Sequence, residues 1–144
     1  MNQNVQNALI DEWHCFFIDL DNFKFINDEY GHDAGDTFLV LISKSIVDTL
    51  RETELLYRIG GDEFCILIPE FNDKQQLERL ALRLINIIKK VNKTVNKGSM
   101  PVGCSIGISI FPDNAKDLNT LLTKADKAMY KIKRSTKNNF FFAS

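Results

Sequence analysis

The feature that most constrains the fold of this chain is a pair of adjacent glycines between two short apolar segments. Residues 55–59 read LLYRI, residues 60–63 read GGDE and residues 64–68 read FCILI. Short apolar runs of this length suit β-strands, and Gly-Gly is a favoured connection in a tight hairpin because glycine adopts positive φ without a steric penalty. The sequence therefore predicts a hairpin with two carboxylates at its tip, where charge is costly unless a positive group lies nearby.

The remaining predicted elements alternate between strands and helices. Residues 14–20, HCFFIDL, form a continuous apolar run that suits a central strand covered on both faces. Apolar periodicity then gives the overall order α-β-α-α-β-β-α-β-α-β. Beyond the hairpin, one or two helical turns are predicted after Asp21. Longer helices are predicted at 33–50, at 118–133 and from a cap at Asn72 or Asp73 to about residue 92. A strand is predicted at 102–111 and a short apolar segment at 140–143.

The order of strand, helix, hairpin, helix and strand is typical of ferredoxin-like and polymerase-palm domains. We therefore expect an α/β (α+β) fold with a mixed β-sheet flanked by helices. A chain of 144 residues suits a single domain, 1–144. The three cysteines lie inside apolar runs and are expected to be buried free thiols.

Composition argues against several classes of partner. The net charge is −1 and 26% of the residues are charged, so no strong field favours nucleic acid or a membrane surface. No segment resembles a signal peptide or a membrane span. We expect a soluble, cytoplasmic chain whose ligands bind at local sites.

Two carboxylates are expected to converge at one edge of the sheet. Asp19 ends the first core strand and Asp62 lies on the hairpin, and these strands are neighbours in a palm-like sheet. A pair of carboxylates near a phosphate is a usual way for proteins to hold Mg²⁺. Each residue alone also has a plain structural explanation, since aspartate is common at helix caps and in turns.

Taken together, the motifs resemble the GGDEF family of diguanylate cyclases. The resemblance rests on DLDNFKFINDEYGHDAGDTFL (19–39), RIGGDEF (58–64), SIGIS (105–109) and ADKAMYKIK (125–133), and it extends over about residues 16–138. It implies a palm-like fold and an enzyme that condenses two GTP molecules into cyclic di-GMP and two pyrophosphates. Each GTP would occupy one half-site, so catalysis would need a symmetric homodimer.

The resemblance also implies the metal and catalytic groups. Asp19, the backbone carbonyl of Leu20, and Asp62 would hold two Mg²⁺ or Mn²⁺ ions per half-site, which would activate the attacking 3′-hydroxyl. Asp19, Asp62 and Glu63 would form the catalytic set. Glu63 would either act as the general base or help to hold the second ion, and the sequence leaves both roles open.

Further positions are implied to bind GTP. The helix that starts near Asn22 offers free N–H groups to phosphates, and Lys24 adds charge. Asp36 with Asn27 would read guanine, because a carboxylate accepts both the N1–H and the 2-amino group, which adenine does not present. We expect His32 near this site, bonding the turn and not acting as a catalyst. The substrate-binding positions are Asn22, Phe23, Lys24, Asn27, His32, Asp36, Gly60, Gly61, Lys133 and Lys137.

Three departures from the family pattern stand out. Lys137 stands where arginine is more usual and Thr136 where glycine is, which loses a bidentate phosphate contact but keeps the charge. The usual R-x-x-D product-inhibition site has Arg51 and then Glu54, so we expect weakened feedback binding or none. The family's D-x-L-T-x-L-x-N-R start is absent from MNQNVQNALIDEWH, so that segment is either divergent or truncated, and attachment to a sensor domain stays open.

Two functions remain open at this stage. An active cyclase is favoured because every metal and guanine position carries a competent residue. A catalytically silent module that binds GTP or cyclic di-GMP is the alternative, because the sequence shows no obvious means of dimerising. A third interpretation, another palm-type cyclase or polymerase, is disfavoured by Asn27 and Asp36.

Overall fold

The chain folds around a five-stranded mixed sheet. A computed structural model describes residues 12–69, 73–96 and 102–144. The strands lie in the order β2-β3-β1-β4-β5, with β4 and β5 parallel and the other neighbours antiparallel. In chain order the elements are β1 (Trp13–Asp21), α1 (Phe23–Tyr30), α2 (His32–Thr49), β2 (Leu55–Gly60), β3 (Glu63–Ile68), α3 (Lys74–Asn96), β4 (Gly103–Phe111), α4 (Leu118–Lys133) and β5 (Asn139–Phe142).

This arrangement confirms the predicted elements, with small shifts at their ends. The α3 helix continues to Asn96 and not to about 92. Of the two predicted caps, Asp73 accepts the N–H of Gln76 at 2.8 Å, while the Gln76 side chain accepts the N–H of Asp73 at 2.9 Å. This reciprocal capping box fixes the start of α3. The other predicted cap, Asn72, and the helix predicted before β1 lie outside the described residues.

The β1 strand is largely apolar and buried because both of its faces are covered. Side chains alternate along a strand, and Phe16 and Ile18 join the core formed with α1, α2 and α3. Cys15 and Phe17 point to the opposite face, in a second core formed with α4. The three cysteines are buried and free, as predicted. None of the helices in the described ranges is long and apolar enough to cross a membrane.

The predicted hairpin is present, but its glycines do not have the predicted backbone. Gly60 ends β2, the turn begins at Gly61, and the β2–β3 register shifts between Arg58 and Gly60. Among the described glycines, positive φ is found at Gly31, with φ of 92°. The prediction that Gly60 and Gly61 supply positive φ is therefore wrong, because the turn is offset by an irregularity in the ladder.

A buried carboxylate ties the end of the chain to β1. Asp21 is 2% exposed and accepts the hydroxyl of Ser105 at 2.8 Å and the backbone N–H of Asn138 at 2.7 Å. Its Oδ1 also lies 3.3 Å from the ammonium of Lys133. A buried charge is tolerated when it is paired and hydrogen-bonded in this way. Asp21 therefore holds the segment after α4 against the end of β1.

We expect Gly107→Ala to destabilise the protein by roughly 1–3 kcal/mol, because it would overpack the interface of α4 with the sheet. A Cβ at Gly107 would collide with the backbone carbonyl of Ala125 and the backbone nitrogen of Met129. Urea unfolding measures the change. Gly61→Ala is the matched control, since a Cβ there meets no protein atom within 4 Å. Equal losses in the two variants would contradict this account of helix packing.

Asp21→Asn should lower the free energy of unfolding by roughly 1–3 kcal/mol, because an amide group must now face donors that the carboxylate satisfied. Ser105→Ala removes only one donor and should have a smaller effect. Hydrogen exchange of the Asn138 amide gives a local readout, and it should accelerate in the Asp21 variant. Unchanged exchange at Asn138 would show that Asp21 does not hold the C-terminal segment.

Candidate active site

The predicted carboxylates come together where the end of β1 lies beside the start of β3. Asp19 and Glu63 lie directly opposite each other in the antiparallel register. The next pair of residues is also joined, because the N–H of Leu20 donates to the carbonyl of Asp62 at 3.1 Å. The tip of the hairpin therefore lies beside the end of β1, and three acidic residues share one edge of the sheet.

The ammonium of Lys133 lies at this edge and contacts oxygens of β1. It donates to the carbonyl of Leu20 at 2.7 Å and lies 3.4 Å from Oδ1 of Asp19. Lys133 is the last residue of α4, so the contact joins that helix to the acidic edge. The same two oxygens are among those that the family resemblance assigns to a metal.

Burial and crowding of like charges shift the pKa values at the acidic edge upward. Burial raises the pKa of Asp19 to about 6; the Lys133 ammonium opposes this, and the carboxylates of Asp62 and Glu63 add to it. Burial also raises the pKa of Glu63, as do the charges of Asp126 and Asp62. Oδ1 of Asp19 is buried with no hydrogen-bond partner among the described residues. The edge is thus electrostatically suited to a further cation.

The start of α1 provides backbone donors close to these carboxylates. Asn22 has left-handed backbone, with φ of 62°, and its side chain does not cap the helix. The first turn of α1 contains no acidic residue, and the first N–H groups of a helix have no partner within the helix. The Phe23 side chain is buried and packs on Phe38 with ring centroids 6.0 Å apart, so only its backbone can face a ligand. Lys24 is exposed.

The two residues predicted to read guanine lie on neighbouring helices. Asn27 is on α1, and its side chain lies against Gly35 of α2, where any Cβ would collide with the Asn27 Oδ1. Asp36 is exposed and lines a cleft of about 420 Å³ together with Leu39 and Arg58. Gly35 is thus a positioning residue for Asn27 that the sequence analysis missed, although it lies inside the GHDAGD motif.

His32 does not make the predicted turn contact. It is the exposed first residue of α2 and forms no hydrogen bond with any residue that the structure describes. The turn is instead built by backbone bonds, with the N–H of Gly31 donating to the carbonyl of Asn27 at 2.9 Å and the N–H of Gly35 to that of Gly31 at 3.2 Å. An imidazole bond is therefore unnecessary at this turn.

Arg58 is a second residue that the sequence analysis left without a role. Its guanidinium donates to the carbonyl of Gly61 from Nε at 3.1 Å and from Nη2 at 2.7 Å. This forked contact stiffens the backbone just before Asp62. Its position two residues before Gly60 is the sequence feature that could have indicated a role at the hairpin turn. Asp126, inside the ADKAMYKIK motif, was missed in the same way.

The degenerate R-x-x-E segment forms a closed local turn. The N–H of Arg51 donates to Oε1 of Glu54 at 2.7 Å, and the N–H of Glu54 donates to the carbonyl of Arg51 at 2.9 Å. Both residues line a cleft of about 240 Å³ to which α3 contributes Arg79 and Arg83. The Glu54 carboxylate is thus partly engaged by the backbone, and weakened product binding at this cleft stays a prediction.

Comparisons with known proteins agree with this fold. The family model described as "Diguanylate cyclase, GGDEF domain" matches residues 1–139. The diguanylate cyclase TpbB of Pseudomonas aeruginosa is 38% identical over 123 residues, which cover 85% of this chain and 28% of that protein. The bifunctional diguanylate cyclase and cyclic di-GMP phosphodiesterase MucR of the same species is 33% identical over 144 residues, or 99% of this chain and 21% of MucR.

The solved structures agree with the sequence relatives. The crystal structure of the GGDEF domain of TpbB superimposes with a TM-score of 0.80 at 34% sequence identity, covering 99% of this chain and 87% of that one. This likeness confirms the palm-like fold. The chain spans less than a third of the length of either curated relative. It belongs to the GGDEF domain family of diguanylate cyclases.

Proposed function

We propose that this chain is an active diguanylate cyclase domain, which condenses two GTP molecules into cyclic di-GMP and two pyrophosphates. The observation that carries the proposal is the crowded acidic edge formed by Asp19, Asp62 and Glu63, where one carboxylate oxygen is buried without a hydrogen bond. Family membership supports the reaction type. Since GTP is the substrate, we place the domain in the cytoplasm.

The acidic edge fits a divalent ion. Asp19, the carbonyl of Leu20, and Asp62 offer the hard oxygens that Mg²⁺ and Mn²⁺ prefer. In the described part of the chain, no three His, Cys, Asp or Glu side chains are arranged to hold a metal, so the Leu20 carbonyl would supply a further ligand. Two bound ions would lower the pKa of the attacking hydroxyl and neutralise the leaving phosphates.

The chain's own residues would bind and orient the nucleotide. The phosphates would be held by the first turn of α1 together with Lys24 and Lys137. The Lys133 side chain is long and flexible, so its ammonium could leave the Leu20 carbonyl and donate to a phosphate oxygen instead. Asn27 and Asp36 would accept and donate at the guanine edge. Glu63, opposite Asp19, would either accept the proton of the hydroxyl or help to hold the second ion.

Catalysis would need a second copy of the domain. One half-site holds one GTP, and the two nucleotides must meet in opposite orientation, which a symmetric dimer provides. A sensor domain or a partner protein outside this sequence would bring the copies together. The open surface at Gly61, where a Cβ meets no protein atom within 4 Å, leaves room for the facing nucleotide.

A silent binding module is the alternative function. The cleft lined by Arg51, Arg79 and Arg83 favours it, because guanidinium groups suit the phosphates of a dinucleotide. In that case the domain would bind GTP or cyclic di-GMP and act through a partner. The alternative differs from the cyclase in producing no new phosphodiester bond.

We expect the purified chain, at high concentration with GTP and Mg²⁺, to produce cyclic di-GMP that chromatography resolves. Asp62→Asn should reduce the rate at least a hundredfold, because an amide is a far poorer ligand for a divalent ion. Asp48→Asn, at an exposed position on α2, is the matched control and should retain the rate. If GTP binds but no product forms even when a fused coiled coil enforces dimerisation, the cyclase proposal fails and the binding module stands.

Asp36→Ala should weaken GTP binding about tenfold or more and reduce the preference for GTP over ATP, because guanine donors would lose their acceptor. Equilibrium titrations with both nucleotides measure this. Asp33→Ala is the control, since it removes an exposed carboxylate from the same turn of α2 outside the cleft. An equal loss of ATP and GTP binding in the Asp36 variant would exclude a role in reading guanine.

A further inference from the structure

A second cleft beside the acidic edge is lined by lysines from two separate elements. Its volume is about 400 Å³, and it lies between α3, the start of β4, the start of α1 and the segment after α4. Lys89 and Lys93 are one helical turn apart on α3, and Lys137 comes from the segment after α4. The family resemblance gives a role to Lys137 but none to the two lysines of α3.

The cleft has an excess of positive charge. Lys89, Lys93 and Lys137 are exposed and form no ion pair with any residue in the described ranges. Asp21 is the acidic residue of the lining, and both of its oxygens are already engaged by Ser105, the Asn138 backbone and Lys133. A concave surface with uncompensated ammonium groups concentrates anions.

The cleft is continuous with the site proposed for GTP. Asp21 and Asn22 line it, and they follow directly after Leu20, whose carbonyl belongs to the acidic edge. Asn22 also precedes the first turn of α1, whose N–H groups suit phosphate. The lysines of α3 therefore lie across the cleft from backbone donors that favour the same kind of ligand.

The backbone that presents Lys137 is held in an uncommon conformation. Lys137 and Asn138 both have left-handed backbone, with φ of 56° and 45°. Non-glycine residues adopt this region at a cost, so the surrounding structure must hold them there. Asn138 donates its N–H to Asp21 at 2.7 Å and accepts the N–H of Cys104 with its side chain at 3.4 Å. These bonds fix Lys137 at the rim of the cleft.

We propose that Lys89 and Lys93 are further binding residues for the diphosphate end of a nucleotide, beside the phosphate-binding positions already assigned to the start of α1 and to Lys137. The proposal deepens the proposed function, on which it rests, because that reaction both binds a triphosphate and releases pyrophosphate. Lysine ammonium groups are point charges that fit phosphate oxygens without a fixed geometry. The ligand is therefore either the terminal diphosphate of bound GTP or the pyrophosphate that leaves.

Calorimetric titration of the full chain with inorganic pyrophosphate tests the proposal. Lys89→Gln with Lys93→Gln should weaken binding at least tenfold, whereas Lys90→Gln with Lys44→Gln should change it less than twofold. The control removes the same number of charges, and Lys90 and Lys44 are exposed residues that do not line the cleft. Equal weakening in both double variants would overturn the proposal, since general charge would then explain the binding.

Parallel titrations with GTP and GMP distinguish the two sources of the diphosphate. Weaker binding of pyrophosphate and GTP, with GMP unchanged, assigns the cleft to the terminal phosphates of the substrate. Weaker binding of pyrophosphate alone assigns it to the leaving group. An unchanged pyrophosphate affinity, or an equal loss for GMP, overturns the site. These readouts need no turnover, so an inactive chain that binds pyrophosphate through Lys89 and Lys93 would refute the cyclase but not the cleft.

Discussion

The contact between Lys133 and the end of β1 holds the acidic edge together. Its ammonium is the cation that the carboxylates of Asp19 and Asp21 share, and it also donates to the carbonyl between them. Because Lys133 ends α4, it also complements the negative end of that helix. Neighbouring carboxylates on one strand would otherwise repel each other in a partly buried setting. The helix and the site are therefore stabilised by the same interaction.

The single positive charge of Lys133 does not neutralise the carboxylates of the acidic edge. Even with Lys133 nearby, burial and the charges of Asp62 and Glu63 hold the pKa of Asp19 at about 6. Asp21 is more deeply buried than Asp19, and its carboxylate accepts hydrogen bonds from the Ser105 hydroxyl and the Asn138 backbone. The two aspartates of one strand thus have separate tasks. Asp21 fixes the backbone, whereas Oδ1 of Asp19 has no hydrogen bond among the described residues and lies 3.4 Å from the Lys133 ammonium, so in the proposed function it would be the oxygen that a metal ion engages.

The local patterns of the sequence were enough to predict the elements, since apolar runs and capping residues act over a few positions. The α4 helix has the predicted bounds, and Asp73 caps α3 through a bond to Gln76. The bonds of Asp21 could not be predicted, because they join residues 84 and 117 positions apart and exist only once the sheet has formed.

The hairpin also has features that could not be predicted from the sequence, although its residues are close together in the chain. The motif correctly predicted a turn with carboxylates, but the backbone of Gly60 and Gly61 depends on a register shift that no residue pattern specifies. The forked contact of Arg58 with the Gly61 carbonyl belongs to the same geometry. Neither glycine has positive φ; a Cβ at Gly60 would lie 3.2 Å from Oε1 of Glu63, whereas a Cβ at Gly61 would meet no protein atom within 4 Å.

The basic cleft begins where the acidic edge ends, because Asp21 and Asn22 line the cleft and follow directly after Asp19 and Leu20. In the proposed function, a nucleotide that carries divalent ions near its α-phosphate would be drawn to the acidic edge, and its terminal phosphates would be drawn to the lysines of the cleft. The base would then extend toward Asn27 and Asp36, the residues proposed to read guanine. Opposite charges placed on either side of one helix start can thus orient a substrate before any contact with the base is made.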